Sequence, residues 1–164
     1  MEVRDYYNIR KELTGETYLA NIEPSGDNYM LITVCFIQNS NGDYLIQKAS
    51  KQKGNKWGST GGHPFAGESS IQGMKREIKE ELGVYIEEDK YEYVNTFMGH
   101  NKILDLYYIN ENIDISKLEL QKEEVESVKW ATSEEIEKLI KKNEFEKTHS
   151  KLFRDIQRWI MGNI

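Results

Sequence analysis

Glu77, Glu80 and Glu81 stand at positions i, i+3 and i+4 within the segment 62–84. If that segment is helical, all three carboxylates share one face. Like charges crowded on one face repel, so such a set rarely serves stability alone. A bound divalent cation removes the repulsion, because hard cations such as Mg2+ take carboxylate oxygens. The chemistry offered by this spacing is that of a metal-binding acid cluster.

The elements that must hold the cluster are legible on either side of it. Ile71, Met74, Ile78 and Leu82 recur at spacings of 3, 4 and 4, an apolar stripe that predicts a helix over about 69–82. Gly83 is placed to end it in a left-handed cap. Upstream, residues 29–38 form a near-continuous apolar run, the pattern of a strand buried on both faces. Asn41-Gly42 marks a hairpin turn, with a return strand over 43–49. Residues 56–60 read as a short strand ending in Gly61-Gly62. Nearer the N-terminus, 3–9 and 16–22 read as strands joined by a turn at 11–15. Downstream, 91–98 and 103–109 have strand character around a turn at 99–102, and 125–131 is a further strand. Thr132 or Ser133 caps a helix over about 133–142, with Glu134 and Glu135 in its first turn. A last helix over about 148–161 gathers Leu152, Phe153, Ile156, Trp159 and Ile160 on one face. This order predicts an α/β (α+β) fold with a mixed β-sheet sandwiched between helices. It also predicts a single domain over 1–164, with residues 1–27 as an N-terminal strand extension.

Composition narrows the function classes. A length of 164 residues with 38% hydrophobic content is enough for one core. A net charge of −6 and the lack of a dominating Lys/Arg block argue against a general nucleic-acid binder. The lysines at 48, 51, 53 and 56 form a local basic run, read either as a solvated loop or as a phosphate-facing one. The single cysteine, Cys35, excludes an intrachain disulfide and is expected to be a small buried hydrophobe. The opening MEVRDYYNIR lacks the apolar centre of a signal peptide, and no run is long and apolar enough to span a bilayer. The expected location is cytoplasmic, without membrane association.

The segment Gly62-x5-Glu68-x7-Arg76-Glu77-Ile78-x-Glu80-Glu81-x-Gly83-Val84 resembles the signature box of the Nudix (MutT-type) hydrolases at each of its defined positions. Weaker similarity extends to the hairpin at 41–48 and to the acidic strand and helix at 123–136. The resemblance implies hydrolysis of a phosphoanhydride bond in a small nucleoside-diphosphate-linked substrate by metal-activated water. Mg2+ is the implied ion, with Mn2+ as a substitute. It implies Glu77, Glu80 and Glu81 as metal ligands, with Glu77 alternatively a base acting through a water. A glycine carbonyl from Gly61 or Gly62 joins them, with Gly62 preferred. Arg76 and Glu68 are implied as the ion pair that orients the glutamates. A further acid is expected from outside the box: Glu123, Glu124 or Glu126, with Glu124 preferred as a catalytic residue. Homodimers are frequent in the family.

Within the family, the run Trp57-Gly-Ser-Thr-Gly-Gly-His-Pro64 resembles that of the type I isopentenyl-diphosphate isomerases, as does the N-terminal segment from Asp5 to Glu16. That places the chain in an isomerase-like branch. The isomerase, however, uses a cysteine just before Gly-His-Pro, where this chain has Gly61. His63 is either a metal ligand, as in those neighbours, or a loop residue bonded to nearby backbone. His100 and His149 are expected in loop and surface roles. Tyr91, Tyr93, Phe97, Tyr107 and Tyr108 are expected to pack in the core or across strands, with base stacking as the other reading. The alternatives to a hydrolase are a nucleotide-binding sensor module without turnover and, behind it, the isomerase.

Overall fold

In the computed structural model, residues 1–162 are described. Their elements, in chain order, are β1 (Val3–Tyr7), β2 (Leu13–Leu19), β3 (Met30–Gln38), β4 (Tyr44–Ala49), β5 (Trp57–Gly58), β6 (Thr60–Gly62), α1 (Ser70–Leu82), β7 (Glu92–Gly99), β8 (Lys102–Asn110), β9 (Val125–Ala131), α2 (Ser133–Lys141) and α3 (Lys147–Gly162). Strands β3 to β9 form one mixed sheet, while β1 and β2 make a separate antiparallel ribbon. Residues 163 and 164 of the expected 1–164 domain lie outside the described residues.

Strand β3 is apolar on both sides because both of its faces are covered. One set of its side chains, Val34 and Phe36, packs with Tyr44, Ile46, Leu106 and Tyr108 beneath Leu152, Phe153 and Ile156 of α3 and Ile136 of α2. The alternate set, Cys35 and Ile37, packs with Leu45, Tyr107 and Ile109 beneath Met74, Ile78 and Leu82 of α1. The predicted sandwich of a mixed sheet between helices is what forms. The apolar stripe of α1 supplies its driving force, at about 1.5–3 kcal/mol for each large side chain removed from water.

Strands β3 and β8 run parallel in register from Met30–Lys102 to Gln38–Asn110. On its other edge β3 meets β4 only at Gln38–Tyr44. The two strands then diverge, and β9 pairs with β4 along its length. Into the opening come β6, paired with Thr33–Cys35 of β3, and β5, paired with Gln47 and Lys48 of β4. The strand expected over 56–60 is thus two short strands serving different partners. The splayed edge between β3 and β4 is where a cleft can open without breaking a ladder.

The N-terminal ribbon also differs from expectation. Its turn lies at residues 8–12 rather than 11–15. Asn8 Oδ1 accepts the backbone N–H groups of Arg10 and Glu12, closing the chain early, and Lys11 takes the left-handed conformation (φ 59). Gly15, which looked like the turn residue, lies inside β2 at φ 89. There the register shifts, with Asp5 facing Thr17 and Tyr7 facing Leu13. The glycine marks a bulge, for which a positive φ is equally well suited.

Candidate active site

Helix α1 is fixed at both ends. Ser69 accepts the N–H of Gln72, whose side chain returns to the N–H of Ser69, a reciprocal cap. Gly83 ends the helix at φ 70. Its buried stripe faces the sheet, so Glu77, Glu80 and Glu81 face the splayed edge between β3 and β4.

The three carboxylates occupy graded environments. Glu81 is 7% exposed, and Gln47 Nε2 of β4 donates to its Oε1 at 3.2 Å. Burial first, then the charges of Glu77, Glu124 and Glu80, push its carboxyl up to about 8, against the lowering effect of the Gln47 bond. Glu77 is pushed up to about 7, chiefly by burial, with the Arg76 guanidinium opposing. Glu80 sits on the exposed rim.

Arg76 organises the group. Its Nε donates to both oxygens of Glu68, at 3.1 and 2.9 Å. Its Nη1 reaches Glu77 and Glu80, each at 3.1 Å, and Nη2 donates to the His63 carbonyl at 3.0 Å. The guanidinium also stacks 3.5 Å from the Phe65 ring centroid. Glu68 in turn accepts the Phe65 N–H at 2.6 Å, so the loop before α1 is tied to the helix face.

Gly62 lies against the cluster. A Cβ at this position would sit 2.5 Å from Glu77 Oε1, so only glycine lets the strand approach so closely. Its carbonyl accepts a long bond from Thr33 Oγ1 at 3.4 Å. His63, next in the chain, faces the same cleft and is pushed down to about 4 by burial, with the charge of Arg4 adding to the effect. It is therefore neutral near pH 7.

Of the three late acids, Glu124 joins the box glutamates at the cleft. It lies just before β9, where its carbonyl accepts the Ser50 N–H and its carboxylate pairs with Lys53 at 3.4 Å. Glu126 pairs with Lys48 at 3.9 Å instead. Glu123 offers its carbonyl to the Ser50 hydroxyl at 2.8 Å.

Two adjoining hollows share Gly61, Gly62, His63, Glu81, Glu124 and Lys53. One, of about 370 Å³, holds the carboxylates. The other, of about 280 Å³, runs between Val34, Trp57 and the start of α3. Its far wall corrects the expectation for His149. That residue is largely covered, with a side chain 18% exposed: its Nδ1 accepts the Ser59 N–H at 2.9 Å, and burial holds it below the ordinary histidine value. Sequence reasoning also missed Gln47, and Arg4 and Glu2 from the N-terminal ribbon. Their only signal is tertiary, since nothing in their local spacing points to the box. His100 is exposed, as expected. Tyr107 and Tyr108 are buried in packing roles, whereas Tyr93 is 54% exposed.

The site fits a hard divalent cation by its donors: carboxylates and a glycine carbonyl, with a backbone approach that a Cβ would block. As placed, no group of three or more His, Cys, Asp and Glu side chains among the described residues converges on one point. Glu77 and Glu80 are instead turned onto Arg76.

Residues 28–156 match the NUDIX domain family model. The chain is 36% identical over 150 residues to an uncharacterized Nudix hydrolase of Listeria monocytogenes, covering 88% of each. It is 28% identical over 139 residues to Nudix hydrolase 3 of Arabidopsis thaliana, covering 18% of that longer protein. Among solved structures, a Deinococcus radiodurans protein superposes with a TM-score of 0.78 at 22% identity, over 93% of this chain and 98% of that one. The NUDIX domain of Shewanella oneidensis NrtR, solved with ADP ribose, superposes with a TM-score of 0.68 at 18% identity, over 87% and 96%. Nudix hydrolases generally use divalent metal ions, in keeping with an acidic cleft at the mouth of α1. On the matched segment and the shared length of its relatives, this chain belongs to the Nudix hydrolase family.

Proposed function

We propose that the cleft hydrolyses a phosphoanhydride bond in a nucleoside-diphosphate-linked small molecule, with Mg2+ held by Glu77, Glu80, Glu81 and the Gly62 carbonyl. The observation that carries this reading is the carboxylate pair Glu77 and Glu81 in the wall of one cleft, both pushed up chiefly by burial, Glu81 also by the charge of Glu77 and Glu77 by those of Glu80 and Glu2. Such a pair costs free energy as placed and is relieved by a cation. When bound, the ion supplies charge neutralisation at phosphate oxygens and acidification of a water. The chain's own residues do the rest. Arg76 and Glu68 fix the directions of the box carboxylates. Glu124, across the cleft, takes the proton as the water oxygen bonds to phosphorus and the anhydride P–O bond breaks. Lys53 and Lys56, which line the hollows, offer positive charge to the departing phosphate.

Two neighbours in fold support the substrate class: the NrtR domain bound to ADP ribose, and a C. elegans Ap4A hydrolase solved as a binary complex, with a TM-score of 0.59. The isomerase reading is disfavoured at Gly61. A side chain there would begin 2.7 Å from the Thr33 carbonyl, leaving no space for a catalytic cysteine. A cytoplasmic location, homodimers and the absence of a nucleic-acid partner complete the proposal.

The test is release of phosphate or nucleotide with Mg2+ across nucleoside triphosphates, nucleotide sugars, ADP-ribose, dinucleotides and NADH, with Glu81→Gln as the blank. Turnover that disappears in the blank is the expected result. Turnover retained by Glu81→Gln would remove Glu81 from the metal site. Silence across the panel from a folded, metal-binding protein would favour a sensor.

A further inference from the structure

The ribbon β1–β2 lies before the segment that the family model matches, which starts at residue 28. It nevertheless reaches the carboxylate cleft, whose wall Glu2 and Arg4 share with Glu77, Glu80 and Glu81. Several attachments hold it there. The Val3 carbonyl accepts the Ala66 N–H at 2.8 Å, and the Asp5 carboxylate accepts the Gly67 N–H at 2.8 Å. Tyr7 and Tyr29 exchange backbone bonds at 3.0 and 2.8 Å. At the turn, Lys11 pairs with the fully buried Asp105 at 2.6 Å. The loop gripped by β1 is the same loop that carries Glu68, so the ribbon is registered to the catalytic helix and not merely adjacent to it.

Arg4 stands out in this wall. Its side chain is only 16% exposed, and Nη2 donates to Glu2 Oε2 at 2.9 Å. Across the ribbon the guanidinium also donates toward the Tyr18 hydroxyl, which faces it from β2. Its other edge, bonded to Glu2, lines the carboxylate cleft, where its N–H groups can reach an anion. The guanidinium fork matches phosphate oxygens in geometry as well as charge. Glu2, its present partner, is 43% exposed and readily displaced toward solvent.

We infer that Arg4, delivered by the N-terminal ribbon, binds a non-bridging phosphate oxygen of the substrate, with Glu2 as the counter-ion that the phosphate displaces. This rests on the hydrolase reading of the same cleft and adds a binding residue that the signature box does not contain. No covalent step is assigned to Arg4. It holds the anion in place while the carboxylates and their ion act on it.

The test uses the full chain and two titrations: Mn2+ alone, and imidodiphosphate, a non-hydrolysable pyrophosphate analogue, in the presence of Mn2+. Wild type is compared with Arg4→Met, Arg4→Lys and Glu2→Gln, each checked for an unchanged melting profile. Mn2+ affinity should be the same in wild type and both Arg4 variants, while Glu2→Gln, which removes a charge that bears on Glu77, is compared at saturating Mn2+. Imidodiphosphate should bind about tenfold more weakly to Arg4→Met, the size of one charge-assisted hydrogen bond, and be partly restored in Arg4→Lys. It should bind more tightly to Glu2→Gln, which frees the guanidinium. A merely structural Arg4–Glu2 pair would shift both partners' variants in the same direction, and that result overturns the inference. So does unchanged imidodiphosphate binding in folded Arg4→Met. Wild type that binds no Mn2+ would instead bring down the underlying metal reading, and this inference with it.

Discussion

At the scale of the residue, the site is built on closeness that only one residue type allows. Gly62 is paired with Thr33 in the β3–β6 ladder, so its backbone cannot retreat, and a Cβ there would meet the Glu77 carboxylate. Gly62→Ala should therefore rotate Glu77 away from the cluster while leaving the fold intact. The expected loss is about 10–100-fold in Mn2+ affinity, the usual size when the support of a ligand is disturbed. Mn2+ titration followed by electron paramagnetic resonance reads it directly, and unaltered affinity would mean that Glu77 is not a ligand. Arg76 poses the complementary case. Its fork holds Glu68, Glu77, Glu80 and the His63 carbonyl together, a set of angles that an ammonium cannot reproduce. Arg76→Lys keeps the charge and loses that geometry, so turnover should fall by about 10–100-fold. Steady-state kinetics on the best substrate of the panel checks this. Wild-type rates would show that charge alone, and not the fork, is what the site needs.

At the scale of the element, most of what positions the box was legible. The stripe Ile71, Met74, Ile78 and Leu82 gave α1 within a residue, because helix periodicity, an N-terminal cap and a C-terminal glycine agreed. The turn of the ribbon and the surroundings of His149 differ from expectation for physical reasons. Asn8 closes a turn by accepting backbone N–H groups, and so moves the turn ahead of the expected 11–15. His149 looked solvated because its partner, Ser59, is 90 residues away in sequence. That contact has a pH signature. Accepting the Ser59 N–H requires an unprotonated Nδ1, and burial disfavours the cation, against a weaker pull from Glu146. The unfolded chain takes up a proton near the ordinary histidine value of about 6.5, while the folded chain resists it. The stability from this contact is thus complete above about pH 6.5 and is lost as pH falls toward the lower folded value. Urea unfolding at about pH 7.5 and about pH 5.5 should show a smaller acid-side loss for His149→Asn than for wild type. Asn offers an acceptor to Ser59 but no titration, so equal losses in both proteins would assign the acid sensitivity to other groups.

At the scale of the whole molecule, the sequence shows the family core but not how the first strands join it. The defined positions of the box lie in one local frame, and local frames survive in a string of letters. The docking of the β1–β2 ribbon is held by contacts between distant residues, the longest being Lys11 to Asp105. Asp105 is fully buried on β8, where it also accepts from Thr96 Oγ1 at 2.6 Å. Among the described residues, only the Lys11 cation from the ribbon pairs with its charge at close range. Lys11→Met should therefore strand a carboxylate in the interior, a change that costs about 3–5 kcal/mol for fully buried pairs. Because the Lys11 side chain is 35% exposed, the low end, about 3 kcal/mol, is the expected value. The double variant Lys11→Met with Asp105→Asn removes the stranded charge and should recover part of that loss. Urea unfolding of the three proteins reads both effects. If the ribbon is docked chiefly by this pair, Lys11→Met should also weaken imidodiphosphate binding in the folded state, because Arg4 rides on the same ribbon. A large stability loss with undiminished imidodiphosphate binding would show that the backbone bonds to Ala66 and Tyr29 suffice to place Arg4, and that the buried pair serves stability alone.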